Sequence, residues 1–413
     1  MNLLLDVART YLLQRKRQTL VSVAGVAVGV GFSIAMASLM EGSNRDFIER
    51  IINYTPHVLV KDESRDPRPQ AAQRAFPEAA LDLRGVKPRD EPRGIRNAAA
   101  LAAFAETLPG VVAAPNLTGQ VVLRYGSKEV ATSMVGIAPA RERRVSKVEQ
   151  NMVIGDFDSL YRAANGLVVG KGLARRLGAA VGDNVVATSP TGVIIQMKIV
   201  GMFRTGITAI DEGESYALLK KAQVLQDRPN IVNRVRLAVA DVNAALAVAG
   251  TIERRFGYRA DSWQQTNEGI LQAFAIRNTI MYTTVAAILL VASFGIFNIV
   301  STVTHEKTRD IAILKSMGFT ERDMRLLFLI QGLALGLLGA LLGCGLGYGL
   351  TRLLYAVPLN IETLGVEHLP VIYSPLHYLI AAAVAIVSAV LAAYLPARKA
   401  ARLNPVEIVR GAA

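Results

Sequence analysis

The sequence contains a single cysteine, Cys344, so no disulfide can form within the chain. Its four histidines, His57, His305, His368 and His377, are scattered and make no metal-ligand cluster. His305-Glu306 opens like a zinc helix, but Arg309 stands where the second histidine is required. A phosphate loop is also missing. The nearest string, Gly166-Leu-Val-Val-Gly170-Lys171-Gly172, has one residue too few between its glycines and a glycine where Ser or Thr would hold magnesium. No G-x-S-x-G elbow occurs either. The chain is therefore expected to be no enzyme, to hold no metal and to bind no cofactor of its own.

The most informative absence is of charge. Residues 20–40 hold no Asp, Glu, Lys or Arg, and three further apolar blocks follow at 280–304, 326–350 and 376–395. At 1.5 Å per residue, about 20 residues cover the roughly 30 Å hydrocarbon layer, so each block is long enough to span it. The whole chain carries 46 basic against 33 acidic residues, and much of the surplus flanks these blocks. No aromatic-plus-basic recognition motif accompanies it, which argues against nucleic acid. Arg9, Arg15, Lys16 and Arg17 precede the first block, and Lys307, Arg309, Lys315, Arg322 and Arg325 lie between the second and third. Arg398, Lys399, Arg402 and Arg410 follow the fourth, whereas no Lys or Arg occurs between Arg352 and Arg398. By the positive-inside rule both termini and the 305–325 loop are cytoplasmic, and the long 41–279 segment lies outside. Ala35-Met36-Ala37 matches a cleavage pattern, but the leader and apolar stretch exceed those of a signal peptide, so 20–40 is read as a span. The expected order is thus 1–19 cytoplasmic, 20–40 span, 41–279 outer domain with stalk helices, 280–304 span, 305–325 loop, 326–350 span, 351–375 short outer loop, 376–395 span and 396–413 tail.

The outer segment mixes two periodicities. Thr55 to Asp62 alternates as a half-buried strand does, and further strands are expected at 119–123, 130–137, 166–169, 184–188, 193–203 and 233–239. Helical spacing appears at 98–108, 172–177 and 242–256, which indicates an α+β domain with its middle portion, near 150–230, inserted into a βαβ-like frame. Ser64 to Asn97 holds five prolines and eight basic residues with few large apolar ones, as a mobile solvated insertion would. Ser43–Asn53 and Thr266–Thr279 read as helices joining this domain to the first two spans.

Small residues mark close helix contacts. Gly332, Gly336, Gly339, Gly343 and Gly347 recur in the third span, and Gly25 and Gly29 repeat the spacing in the first. The pattern lets backbones approach closely in lipid, either within one subunit or between two.

The loop after the second span reads His305-EKTRDIAILKSMGFTERD-Met324, with helical spacing that brings Ile311, Leu314 and Ser316–Met317 near one face and Gly318 as a natural stop. The stretch "EKTRDIAILKSMGFTERDMRLLFLIQGLALGLLGALLG" resembles the coupling-helix region of macrolide-exporter-type ABC permeases, and "LPARKAARLNPVEIVRG" is similar to their C-terminus. "EGSNRDFIERIINYTPHVLVKD", "GLVVGKGLARRLGAAVGD" and "KIVGMFRTGITAIDEGESYALL" are similar to the lipoprotein-releasing branch. The resemblance implies an α-helical membrane protein of four transmembrane helices with an α+β periplasmic domain between helices 1 and 2, placed in a bacterial inner membrane. It also implies a second permease, a copy or a paralogue, and a cytoplasmic ATPase dimer that holds ATP and magnesium. Glu306, Lys307, Arg309, Asp310, Ile313, Leu314, Met317 and Gly318 would seat that ATPase, and ATP-driven movement would reach the cargo outside by mechanotransmission. The lipoprotein branch further implies acylated lipoprotein cargo, a periplasmic chaperone, and a lipid-facing cavity to which Phe32, Met36, Met40, Phe294 and Phe297 would contribute. The proline- and arginine-rich insertion departs from that branch, and two other readings stay open. One is efflux of a macrolide, peptide or other amphiphile; the other is a signal relay that moves no cargo and controls an envelope enzyme.

Overall fold

A computed structural model describes residues 2–14, 16–65, 71–80, 94–361 and 366–403. The chain divides into two units. One comprises Met1–Asp46, Gln272–Leu359 and Glu367–Ala413; the other comprises Phe47–Leu271 and Asn360–Val366.

The first unit is built on four helices long and apolar enough to cross a membrane: Lys16–Tyr54, Glu268–Glu306, Glu321–Ala356 and Pro375–Ala401. All four blocks expected from the sequence lie within them. The first two helices have 39 residues each, about 58 Å of helix against a bilayer core of about 30 Å. The expected helix at 43–53 is thus continuous with its span, and the one expected at 266–279 is continuous with the second span from Glu268 onward, Thr266 ending a separate short helix. The third helix starts on a capping box, in which Thr320 Oγ1 accepts from Asp323 N and the Asp323 side chain accepts from Thr320 N. The amino-terminal segment, expected only to be cytoplasmic, is itself a helix over Asn2–Gln14. Its Ala8 and Tyr11 are buried in one core with Ile311, Met324 and Phe328.

The second unit contains a ten-stranded sheet. Strands Val58–Lys61, Val111–Tyr125, Arg234–Val239 and Ala260–Ser262 pair antiparallel, with Ala98–Thr107 and Ala245–Phe256 as the helices between them in sequence. This is a split βαβ arrangement. Phe47, Ile48, Ile51 and Ile52 from the end of the first long helix pack into its core. A second lobe follows from Leu117 to about Ile231, wider than the expected 150–230, because the 15-residue strand Val111–Tyr125 serves both lobes. Its amino-terminal half pairs with Arg234–Val239, and its remainder pairs with Lys128–Ile137 and Asn184–Thr188. In the second lobe Tyr216 packs at a tilt against Phe157 and edge-on against Phe203, with centroids 5.5 and 5.4 Å apart.

The described parts of the expected insertion are not all loose. Arg65 donates to Glu253 Oε1 at 2.8 Å and to Asp261 Oδ1 at 3.1 Å. At the other end Ile95 is buried, and its N–H donates to Val232 O at 2.8 Å. Residues 71–75 form a short helix, while 66–70 and 81–93 lie outside the described residues.

Candidate functional site

The 305–325 loop forms a short helix, Thr308–Ser316, that stops where Gly318 takes a φ of +101°, a conformation side chains resist. Ile311 and Ala312 are buried, and Leu314 packs against the same core. The opposite side carries two apolar side chains in water-accessible positions, Ile313 at 55% exposed and Met317 at 73%. Glu306, Arg309 and Gly318 are exposed as well. The loop therefore has an inner face fixed to the bundle and an outer face with an apolar step edged by charge. Of the expected docking residues, Ile313, Met317, Glu306, Arg309 and Gly318 are outward. Leu314 is drawn inward, whereas Ser316 and Met317 point away from Ile311, not along its face.

Two lysines hold the inner face. Lys315 Nζ donates to Ala401 O at 2.9 Å and Leu403 O at 2.7 Å, capping the carboxyl end of the fourth long helix with a cation. Lys307 pairs with Asp310 at 3.1 Å and sits 5.3 Å from the Tyr11 ring centre. Burial, with the Asp310 charge behind it, pushes the Tyr11 hydroxyl up to about 12, so the ring stays neutral across the physiological range. Asp310, Ile313 and Leu314 face Asp6, Val7, Thr10 and Tyr11 across a shallow groove, so the exposed Ile313 stands at the border of the two faces and Met317 lies farther out. Nothing in the loop sequence announced the amino-terminal helix as a neighbour; the Tyr11 contact could be found only in three dimensions.

The glycines of the third span serve contacts inside this chain. A β-carbon on Gly332 would stand 2.5 Å from Ala393 Cβ, and one on Gly336 would stand 2.8 Å from Ala389 Cβ. On Gly339, Gly343 and Gly347 it would meet Val26, Val30 and Ile34 at 2.6–2.8 Å. One row of glycines thus seats the fourth helix, and the next row seats the first. Gly29 faces Leu289 and Ile288, while a β-carbon on Gly25 would meet nothing within 4 Å among the described residues. Two partners were missed. Gly31 approaches Leu346 Cβ and the Gly347 backbone at 3.0–3.2 Å. The fourth helix buries Ala381, Ala385, Ala389, Ala393 and Ala397, a four-residue repeat of small side chains legible in the sequence.

Of the five residues expected at a lipid-facing cavity, Phe294 and Phe297 line an open apolar groove of about 570 Å³ between the second and fourth helices. Ser293, Ser388 and Leu391 complete its walls. Phe32, Met36 and Met40 do not line it; Phe32 is 37% exposed and the two methionines are half-buried.

Residues 19–255 match the family described as MacB-like periplasmic core domain, and residues 282–405 match FtsX-like permease C-terminal. The chain is 26% identical to the lipoprotein-releasing system transmembrane protein LolC of Neisseria meningitidis serogroup B, over 97% of this chain and 97% of that one. It is also 26% identical to the uncharacterized ABC transporter permease YknZ of Bacillus subtilis, over 98% of each. The macrolide export ATP-binding/permease protein MacB 2 of Aeromonas hydrophila is 26% identical over 96% of this chain but only 58% of its own length. Four membrane-length helices, a periplasmic α/β domain between the first two and these matches agree on one conclusion: the chain belongs to the family of ABC permeases that join a MacB-like periplasmic core domain to an FtsX-like permease region, and is the membrane-spanning permease, not the nucleotide-binding subunit.

Proposed function

We propose that this permease works in the inner membrane with both termini cytoplasmic, paired with a second permease, and is driven by a separate ATPase dimer that docks on the outer face of Thr308–Ser316. The observation that carries the reading is the two-faced loop. Its exposed Ile313 and Met317 offer an apolar anchor to a partner, while Lys315 ties the same short helix to the end of the fourth span. A displacement imposed on the outer face is thereby delivered to the bundle without passing through a flexible segment. Mechanotransmission of this kind needs no substrate channel.

The cargo we propose is acylated lipoprotein, taken from the outer leaflet and passed to a periplasmic carrier. Full-length similarity to lipoprotein-releasing permeases supports it, as does the open apolar groove at Phe294 and Phe297, where an acyl chain could lie. A second reading, efflux of a macrolide-like amphiphile, is favoured by the equal identity to the macrolide exporter. Purifying the permease with its ATPase and analysing bound cargo separates the two. A co-isolated triacylated protein supports lipoprotein release, and a small amphiphile in its place overturns it. For docking, Ile313→Asp combined with Met317→Asp should abolish ATPase association while leaving the chain in the membrane. Undiminished association would remove the loop from the interface.

A further inference from the structure

A second groove, of about 340 Å³, opens between the first and second long helices at their Arg17 end. Its walls are unlike those of a lipid-facing surface. Gln18 and Ser22 stand one turn apart on the first helix, and Asn298 and Thr302 one turn apart on the second, with Val21 and Ile299 beside them. Asn298 is exposed although it lies about 9 Å of helix inside the end of the apolar block at Thr304. A bare amide facing hydrocarbon is costly, so a polar occupant is required at that depth. Gly295 lets the two helices approach at the floor of the groove, since a β-carbon there would stand 3.3 Å from Ser22 Oγ. Arg17 is exposed at the mouth, and no carboxylate is among the lining residues.

We infer that this groove binds the phosphate and glycerol of an acidic glycerophospholipid from the leaflet on the Arg17 side. Arg17 supplies the charge for the phosphate. Asn298 and Ser22 supply hydrogen bonds to glycerol and ester oxygens, and Val21 and Ile299 meet the first acyl carbons. An apolar helix from another protein would leave Asn298 unpaired, and a zwitterionic lipid would bring a second cation beside Arg17. The site is separate from the Phe294–Phe297 groove and does not depend on the choice of cargo.

The test is native mass spectrometry of the full-length permease released from nanodiscs holding equal phosphatidylglycerol and phosphatidylcholine. The wild-type chain should retain phosphatidylglycerol over phosphatidylcholine. Arg17→Gln should cut that retention by about fivefold, and Asn298→Leu by a similar factor. Arg325→Gln, on another helix, should retain the lipid as wild type does and so control for general loss of charge. Three results overturn the site: equal retention of both lipids, retention unchanged in both groove variants, or displacement of the lipid by inorganic phosphate at millimolar concentration. A fourth is conversion of a permease dimer to monomers by Asn298→Leu with lipid retention intact, since that marks the groove as a subunit contact.

Discussion

The two units exclude water from their interiors by different means. In the outer domain large side chains interlock: Phe157, Phe203 and Tyr216 are completely buried, and a charged pair, Arg236 and Glu142 at 2.7 Å, is buried with them. In the membrane unit the tightest contacts are made by the smallest side chains, with Gly332 to Gly347 set against alanines and valines. The difference follows from solvent. Burial from water rewards large apolar area, about 25 cal/mol per Å², while lipid gives no such reward and leaves close backbone approach as the main attraction. A large side chain is therefore an asset in one unit and a wedge in the other. Within the membrane unit the contrast repeats. Both helices expose apolar side chains, Leu341 and Leu353 on the third and Leu290, Val291 and Phe294 on the second, but half of the third helix's apolar stretch is buried, its glycine-rich face set on both neighbours, against 22% of the second's. The third helix is a brace; the second is a surface for lipid, cargo or another subunit.

The largest expected effect tests the outer domain's buried charge. Burial pushes the Glu142 carboxyl up against the pull of Arg236. Arg236→Met strands it and should cost about 3–5 kcal/mol, whereas the double change with Glu142→Met should recover most of the loss. Chemical unfolding of the full chain in detergent measures both. If the single variant were as stable as wild type, the pair would not hold the lobe. Next comes the tie between loop and bundle. Lys315→Met removes two charge-assisted bonds worth about 1.5–3 kcal/mol each at most. It should leave ATPase association intact while lowering cargo-dependent turnover, and a normal turnover rate would break the mechanical link.

The glycine rule is sharpened by two variants two residues apart. Gly343→Ala places a methyl 2.6 Å from Val30 Cβ and should cost about 1–3 kcal/mol. Gly345→Ala meets nothing within 4 Å and should be neutral or better, within about 1 kcal/mol. Equal melting temperatures for the two would refute close packing as the membrane unit's principle. The smallest effect is acid sensitivity. Glu253 is held below the ordinary carboxylate range chiefly by the Arg65 hydrogen bond. Asp261, which burial alone would raise, is carried down by Lys61 and Arg259. Groups lowered on folding stabilise the native state above their unfolded values near about 4 and lose that contribution as pH falls through the folded ones. Thermal melts from pH 6 down to 3 should therefore show falling stability, less steeply in Arg65→Ala.

Much of this was legible in the sequence. Charge-free blocks gave four helices because hydrocarbon thickness sets their length, and the glycine spacing gave close contacts because only glycine permits them. Five of the six strands expected after Thr55–Asp62 are present at nearly their expected bounds, since each alternates or runs apolar, whereas the one expected at 119–123 is only the end of the longer strand Val111–Tyr125. Short strands at 152–154, 214–218 and 260–262 were not foreseen, because three to five residues with polar neighbours carry no periodicity. The direction of the 305–325 loop was the harder part. Ile311, Ile313, Leu314 and Met317 are all apolar, and only the positions of Tyr11 and of the fourth helix's end decide which of them turn inward.

In the proposed docking the outer face of Thr308–Ser316 meets the ATPase. Cross-linking from single cysteines tests it directly, with Cys344→Ala as background and Ile313→Cys, Met317→Cys or Gly345→Cys added in turn. Cross-links to the co-expressed ATPase from positions 313 and 317, and none from 345, are predicted. Labelling of 313 and 317 from the opposite side of the membrane, with no cross-link to the ATPase, would contradict the account.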